Sequence, residues 1–215
     1  MRWQEPGLHL RNSIFNGQRN SAIEPLDAAL TKPLEGGASF SLGNRLARVV
    51  WMASWLVLAR FTPPPLHAWR RLVLRAFGAQ IGPGARVHGS AWVWLPANLT
   101  LGENTLIGPG VRLYNQGQIS IGARSVISQR AHICASTHDL RDPLFQLVLR
   151  PVRIGAQCWV AAEAFVGPGV TMGDRAVLGA RGALFGDAVA DGVYAGNPAV
   201  FVKERQLRVS APEQS

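Results

Sequence analysis

An aliphatic side chain recurs at every sixth position through the middle and later part of the chain. A helix repeats every 3.6 residues and a strand alternates every two, so neither element produces this period. Six-residue repeats are typical of a parallel β-solenoid, in which each repeat forms one short strand and one corner. Fifteen aliphatic positions fit the period: Ile81, Val87, Val93, Leu101, Ile107, Leu113, Ile121, Ile127, Ile133, Ile154, Val160, Val166, Met172, Leu178 and Leu184.

Three repeats account for one triangular coil of 18 residues, the spacing from Ile154 to Met172. A small or β-branched residue stands four positions after each aliphatic one, where the interior is narrower. Gly directly follows eight of the fifteen, which indicates unusual backbone angles or close approach of neighbouring coils. We therefore predict an all-β solenoid with five coils over residues 81–189 and the aliphatic positions buried.

The repeat is interrupted once by a long insertion. Ile133 and Ile154 are 21 residues apart instead of six, which leaves residues 139–153 looped out of the coil. Long interruptions of a regular fold are usually functional.

The solenoid domain, residues 79–205, follows a segment of different character. Residues 1–38 show little periodicity and predict an extended or partly ordered arm, and residues 206–215 form a tail. Residues 39–78 predict two helices, separated by three prolines, that are apolar, cationic and rich in Trp. These helices either cover the open end of the solenoid or lie on an anionic membrane leaflet.

The chain carries a net charge of +9, but 20 of its 22 cations are Arg and they form no basic tract. No nucleic-acid-binding motif accompanies them, so we expect no nucleic-acid partner. Two cysteines and the absence of a secretory signal favour a cytoplasmic setting, with the inner face of the membrane as a peripheral location. The longest apolar run, residues 49–59, has 11 residues and is too short to span a bilayer.

Five segments carry a resemblance to a known family. They are Ala68-Trp-Arg-Arg-Leu, Thr137-His-Asp with its Pro-Leu-Phe loop, Pro151-Val-Arg-Ile-Gly with Trp159, Val166-Gly-Pro-Gly-Val-Thr-Met-Gly-Asp, and Tyr194-Ala-Gly-Asn-Pro-Ala. Residues 39–205 resemble the hexapeptide-repeat sugar O-acetyltransferases, in particular the branch with the colanic acid, maltose and galactoside enzymes. The resemblance implies a left-handed parallel β-helix with N-terminal helices, a homotrimer with sites between subunits, and acetyl transfer from acetyl-CoA to a sugar or glycan hydroxyl, as in exopolysaccharide biosynthesis.

Sugar O-acetylation needs a base, and His is the natural one near neutral pH. His138 ends a repeat and begins the insertion, where the resembled enzymes place their catalytic His. His132 has the same offset one repeat earlier, and we expect it to be structural. We assign Asp139 to substrate binding or imidazole orientation, with solvation of the loop start as the alternative. Asn115 is a candidate substrate ligand because Gly108 replaces the family's binding Asn; alternatively, it only stabilises a turn.

The resembled enzymes bind acetyl-CoA in a groove between subunits. The matching donor-binding positions are Trp159, Ala162, Ala180, Lys203 and Arg205. Phe185-Gly186 replaces the Thr-Lys pair that commonly touches the CoA phosphates, which is a departure from the pattern.

Two other functional classes remain as alternatives. A catalytically silent solenoid scaffold would share the repeat, and the departures at Gly108 and Phe185-Gly186 favour it. A γ-type carbonic anhydrase would need three metal-binding His, but no His follows His138. We expect no metal, and neither Cys134 nor Cys158 has the neighbours of a ligand or nucleophile.

Overall fold

The computed structural model of the chain describes residues 24–207. Its α-helices are α1 (Ala28–Thr31), α2 (Leu42–Leu58) and α3 (His67–Ala76), and one-turn 3-10 helices lie at Pro33–Glu35 and Pro96–Asn98. In residues 24–207, no helix is both long and apolar enough to cross a membrane. The predicted arm and tail lie partly outside the described residues, and the division of the chain into arm, cap, solenoid and tail stays a prediction.

Short strands follow the helices. They are β1 (Gln80–Ile81), β2 (Arg86–Val87), β3 (Trp92–Val93), β4 (Leu99–Leu101), β5 (Leu106–Ile107), β6 (Arg112–Tyr114), β7 (Ile119–Ile121), β8 (Val126–Ile127), β9 (His132–Cys134), β10 (Ser136–His138), β11 (Leu147–Leu149), β12 (Val152–Ile154), β13 (Trp159–Val160), β14 (Phe165–Val166), β15 (Thr171–Met172), β16 (Val177–Leu178), β17 (Ala183–Leu184), β18 (Gly192–Gly196) and β19 (Ala199–Glu204).

The strands stack into the three faces of a parallel solenoid. The first face is β1-β4-β7-β12-β15, the second is β19-β18-β16-β13-β8-β5-β2, and the third is β17-β14-β9-β6-β3. The chain visits the faces in turn, so three repeats make one coil as predicted. A partial sixth coil follows the predicted five: Ala188 bridges to Met172, β18 pairs with β16, and β19 returns antiparallel to β18.

The repeat positions form the core. All fifteen aliphatic residues are at most 6% exposed, which confirms the predicted register. The small residues four positions later are also buried, except Ala97 and Thr137. These two lie where a 3-10 helix and the β10 strand leave the coil. Each fully buried aliphatic side chain contributes about 1.5–3 kcal/mol of transfer free energy, so the stack is held mainly by its own interior.

The glycines that follow the aliphatic positions allow neighbouring coils to approach each other closely. A Cβ on Gly122 would lie 2.5 Å from the carbonyl carbon of Gly155, and one on Gly102 would lie 2.4 Å from the nitrogen of Ala123. The left-handed backbone occurs two residues later, for example at Arg124 and Arg175. Of the two predicted reasons for these glycines, unusual backbone angles and close approach of neighbouring coils, the structure therefore supports close approach.

Helices α2 and α3 pack against the first coil. Ser41 caps α2, and its hydroxyl accepts a hydrogen bond from the N–H of Asn44. The indoles of Trp51 and Trp55 donate hydrogen bonds to the carbonyls of Val93 (2.8 Å) and Gly89 (3.2 Å). Both rings belong to the same hydrophobic core as the repeat positions, so the helices close this end of the solenoid.

The face of α2 opposite the two tryptophans is apolar and exposed. The aliphatic residues that follow helical spacing in this segment are turned away from the core. The larger indoles, which also reach backbone acceptors, take the inner side instead. We define the outer face of α2 as Leu42, Leu46, Val49, Val50, Met52, Leu56 and Val57, which are 52–78% exposed.

The predicted insertion forms an antiparallel hairpin. Strands β10 and β11 pair, with His138 opposite Leu147, and the chain re-enters the first face at β12. The hairpin stands at the corner between the third and first faces, after the third coil. It is packed from the N-terminal side, since Leu147 and Leu149 contact the cluster of Phe40, Trp94 and Leu95.

Candidate active site

His138 is the last residue of β10 and its side chain is exposed. Its Nδ1 lies 2.6 Å from the carbonyl oxygen of Phe145 across the hairpin. A carbonyl oxygen only accepts, so Nδ1 carries the proton in the neutral ring and Nε2 is left with its lone pair. The imidazole is therefore oriented and has a free acceptor nitrogen, the two properties that a general base needs.

The turn of the hairpin holds the Phe145 carbonyl in place. The carboxylate of Asp142 accepts hydrogen bonds from the backbone N–H of Leu144 (2.9 Å) and of Gln146 (3.1 Å). The backbone carbonyl of Asp142 accepts a hydrogen bond from the N–H of Phe145. Sequence reasoning did not identify Asp142 as a positioning residue. The Asp142-Pro143 pair was the available signal, because Asp before Pro favours a turn held by the carboxylate.

The hairpin is also tied to the N-terminal segment. The side chain of Gln146 accepts from the N–H of Ala28 at 2.6 Å and donates to the carbonyl of Leu26 at 3.1 Å. Nothing in the spacing of these residues predicts this contact. It means that residues 24–31 help to hold the strand that faces His138.

Asp139 does not orient the imidazole. One of its oxygens accepts from the N–H of Arg141 at 2.9 Å, and its side chain is 45% exposed. The Phe145 carbonyl has the orienting role. The exposed carboxylate beside His138 leaves the substrate-binding role of Asp139 as a prediction.

Asn115 lies at the same corner but is fully buried. Its Oδ1 accepts from the N–H groups of Trp94 (2.9 Å) and Leu95 (3.2 Å), and its Nδ2 donates to the carbonyl of Leu95 at 2.5 Å. The structure contradicts the substrate-binding assignment, because the amide faces the neighbouring coil and is occupied by backbone. The alternative of a turn-stabilising residue is the one that the geometry supports.

His132 packs in a row of aromatic rings along the third face. Its ring meets Tyr114 and Phe165 edge-on, with centroids 6.3 and 5.4 Å apart. Burial, together with the charge of Arg112, lowers the pKa of His132 below its usual value. It is a structural residue, as expected from its position.

The residues assigned to the donor lie along the second face. Strand register aligns Trp159 with Val177, Val193 and Lys203 in one row, so Trp159 and Lys203 are three strands, or about 14 Å, apart. Ala162 and Ala180 follow at the corner between the second and third faces, on consecutive coils. The structure thus gathers these positions along one strip of surface.

A pocket of about 480 Å³ opens on this strip. Trp159, 47% exposed, lines it, and its indole donates to the Ser128 hydroxyl at 2.9 Å. Arg205 lines it too and donates to the carbonyls of Gln157 (2.8 Å) and Arg175 (2.9 Å), so its guanidinium is fixed at the rim. Arg124, which sequence reasoning did not select, adds a second cation to the pocket.

Cys158 also lines this pocket, but burial raises the pKa of its thiol to about 11. The thiol is therefore protonated near neutral pH and is a poor nucleophile. Within residues 24–207, no group of three His, Cys, Asp or Glu side chains could hold a metal ion.

One chain does not bring the base and the donor residues together. His138 stands at the corner between the third and first faces, whereas Trp159, Ala162 and Ala180 lie on the second face and its following corner. The two groups occupy different edges of the triangular prism.

No protein-family model matches the chain. A curated protein named colanic acid biosynthesis acetyltransferase WcaF, from Escherichia coli (strain K12), is 41% identical over 166 residues, which cover 77% of this chain and 91% of that protein. Among solved structures, a hexapeptide-repeat acetyltransferase of Vibrio cholerae complexed with acetyl coenzyme A has a TM-score of 0.70 at 20% identity, covering 77% of this chain and 91% of that chain. Galactoside acetyltransferase in complex with coenzyme A has a TM-score of 0.68 at 20% identity, covering 77% and 84%.

These likenesses, together with the hairpin that carries His138, define the class of left-handed β-helix acyltransferases. The left-handed fold implied by the sequence resemblance is thereby confirmed. With its identity to WcaF, the chain belongs to the hexapeptide-repeat acetyltransferase family, and it is an acetyltransferase.

Proposed function

We propose that this acetyltransferase moves the acetyl group of acetyl-CoA to a hydroxyl of a sugar, on a glycan or exopolysaccharide precursor. The observation that carries the proposal is the exposed His138, whose imidazole is held through Nδ1 with Nε2 free. The names of the relatives support the rest: WcaF is a colanic acid biosynthesis enzyme, and the solved structures include complexes with acetyl-CoA and CoA.

The proposed reaction follows from the free nitrogen. Nε2 of His138 takes the proton of the sugar hydroxyl while the hydroxyl oxygen forms a bond to the thioester carbonyl carbon. The tetrahedral intermediate collapses by breaking the bond between carbon and sulfur. The imidazolium then returns its proton to the departing CoA thiolate, so the histidine is neutral for the next turnover. Trp159, Ala162, Ala180, Lys203 and Arg205 are proposed to hold acetyl-CoA along the second face.

The test is the pair His138→Ala and His132→Ala, assayed by release of free CoA thiol in an acceptor screen. His138→Ala should lower turnover by about 10²–10⁴-fold, the usual range for loss of a general base. His132→Ala is the matched control and should retain turnover. A His138→Ala variant that keeps most of the wild-type rate would refute the base assignment. If no sugar is acetylated by the wild type, the proposed sugar acceptor is wrong and the acceptor of this acetyltransferase belongs to another class.

We also propose that the working form is a homotrimer whose sites lie between subunits. The separation of His138 from the donor strip on a single chain supports this arrangement. Mixed trimers test it directly. We would co-express His138→Ala with Ala180→Trp, which fills the donor strip, and expect about one quarter of wild-type activity to return, because a random mixture completes one site in four. Sites contained within one chain would give no recovery.

The outer face of α2 supports a peripheral location at a membrane. The sequence has no Asp or Glu between Glu35 and Glu103, but this stretch contains seven Arg. Arg70 is buried, but the other Arg of the stretch leave an exposed apolar helix face in a segment without acidic residues. Such a face matches the interface of an anionic bilayer, which takes up apolar side chains and attracts Arg. A second copy of the same surface would instead place like charges together. We propose that α2 lies on the inner leaflet and brings the enzyme to lipid-linked acceptors.

Vesicle co-sedimentation distinguishes this location from a purely structural cap. The wild type should bind vesicles that contain phosphatidylserine, more weakly as salt rises, and should not bind phosphatidylcholine alone. Val50→Asp should abolish binding, and Arg60→Gln should weaken it about fivefold. Val189→Asp places the same change on an exposed Val at the far end of the solenoid and should have no effect. The absence of salt-sensitive binding by the wild type would leave α2 as a cap only.

A further inference from the structure

A second pocket, of about 370 Å³, opens between α2, the segment 36–40 and the corner that follows β6. Arg45 and Arg48 line it from the helix, and Trp94, Tyr114 and Gln116 line it from the solenoid. It shares no lining residue with the donor pocket on the second face. None of the site residues selected from the sequence lines it.

Two guanidinium groups of this pocket lie near each other without an opposite charge. Arg48 is fixed in place: its Nε donates to Asn44 at 3.1 Å, and its guanidinium lies 4.4 Å from the ring centroid of Trp94. Burial is the main cause that lowers the pKa of Arg48; Tyr114 acts in the opposite direction, and the neighbouring charge of Arg45 lowers the pKa further. Among the described residues, no carboxylate lies within salt-bridge distance of either guanidinium. The pocket therefore concentrates uncompensated positive charge.

The third polar group of the pocket is the side chain of Gln116. It is only 6% exposed, and its Nε2 donates to the Tyr114 hydroxyl at 3.0 Å. Its Oε1 is buried without a hydrogen-bond partner. In either orientation of the amide, one of its two terminal atoms lacks a partner. A buried polar atom left unpaired destabilises the protein, so a ligand that pairs it gains binding free energy.

The pocket lies beside the hairpin that bears His138. The N–H of Ala135 donates to the carbonyl of Tyr114 at 3.1 Å, so the corner with Gln116 stacks on the corner that leads into β10. Trp94 belongs to the cluster against which Leu147 and Leu149 of the hairpin pack. One coil separates the pocket from the start of the hairpin, about 4.8 Å along the solenoid axis.

We propose that Arg45, Arg48 and Gln116 bind an anionic group, a carboxylate or a phosphate, carried by the sugar acceptor. Two guanidiniums give charge-assisted hydrogen bonds to either group, and a neutral sugar would leave them unpaired. Gln116 pairs with an adjacent hydroxyl or oxygen of the same sugar. The inference deepens the proposed function, since it rests on a sugar acceptor and names its class: an acidic or phosphorylated sugar.

Binding without turnover tests the proposal apart from catalysis. Isothermal titration with glucuronate, glucose 1-phosphate and glucose, in the absence of acetyl-CoA, separates the carboxylate, the phosphate and the neutral sugar. The wild type should bind at least one of the two anions more tightly than glucose. Arg45→Gln with Arg48→Gln should weaken that binding by at least about tenfold. Arg153→Gln, an exposed Arg on the first face, is the matched control and should bind like the wild type.

Single variants keep the test independent of folding. Arg45 is exposed, so Arg45→Gln alone should fold normally and should still weaken anion binding. His138→Ala should retain anion binding while it loses turnover, which separates this proposal from the proposed reaction. Equal binding of glucose and both anions, equal binding by wild type and the double variant, or a change confined to the KM for acetyl-CoA would overturn the proposal.

Discussion

The corner held by Asn115 gives the sharpest test of a structural against a substrate-binding role. Asn115→Ala removes a partner from two N–H groups and one carbonyl on Trp94 and Leu95, which are only 5% and 7% exposed. The Trp94 N–H still donates to the Leu113 carbonyl and the Leu95 carbonyl still accepts from the Asn98 N–H, both at 3.1 Å, so only the Leu95 N–H is left unpaired. Each buried polar group left unpaired costs about 1–3 kcal/mol. A lost hydrogen bond whose group keeps another partner costs about 0.5–1.5 kcal/mol, so one unpaired N–H and two such losses should together cost about 3 kcal/mol.

Urea unfolding at a fixed protein concentration measures this loss. Gln118→Ala is the control at the same corner: it removes one 3.1 Å hydrogen bond to Thr100 and should cost no more than about 1.5 kcal/mol. The acceptor KM of folded Asn115→Ala, measured below its unfolding range, should stay near the wild-type value. Unchanged stability together with a raised acceptor KM would refute the turn-stabilising role and restore Asn115 as a substrate ligand.

Three further predictions concern the solenoid. Ile127→Asp should unfold it, because an unpaired charge in a dry core costs several kcal/mol; retained circular dichroism of the β-fold would contradict this. Burial lowers the folded-state pKa of His132 and of His67, so protonation favours the unfolded state, and stability should fall as the pH drops below about 6.5. His132→Phe should reduce that slope in urea titrations at several pH values, leaving the part due to His67. Cys158, with its thiol pKa raised to about 11, should react with a thiol reagent more slowly than Cys134, and equal rates would contradict its burial.

The repeat positions show why much of this fold could be read from the sequence. A solenoid core is built from residues close in the chain, so Ile107 meets Ile127 through a register that the six-residue period already states. The same dependence on residues close in the chain located the insertion. His138 was found because it lies at the break in the period, where a side chain leaves the wall.

The orientation of α2 could not be read in this way. Its spacing shows two apolar sides, one with Trp51 and Trp55 and one with the aliphatic residues. The choice between them depends on the carbonyls of Gly89 and Val93, which are more than 30 residues away along the chain. Periodicity identifies a helix, but only the partner surface decides which side is buried.

The sequence alone determined the solenoid, its register, the insertion and the histidine at its edge, because each depends on spacing between residues that are near in the chain. Tertiary structure decided what that histidine faces: the Phe145 carbonyl, a turn held by Asp142, and Gln146 tied to residues 24–31. It also turned Asn115 inward and brought Arg45, Arg48 and Gln116 to one pocket. These outcomes depend on hydrogen-bond geometry between segments distant in sequence, and no pattern along the chain encodes the direction of a single amide or guanidinium.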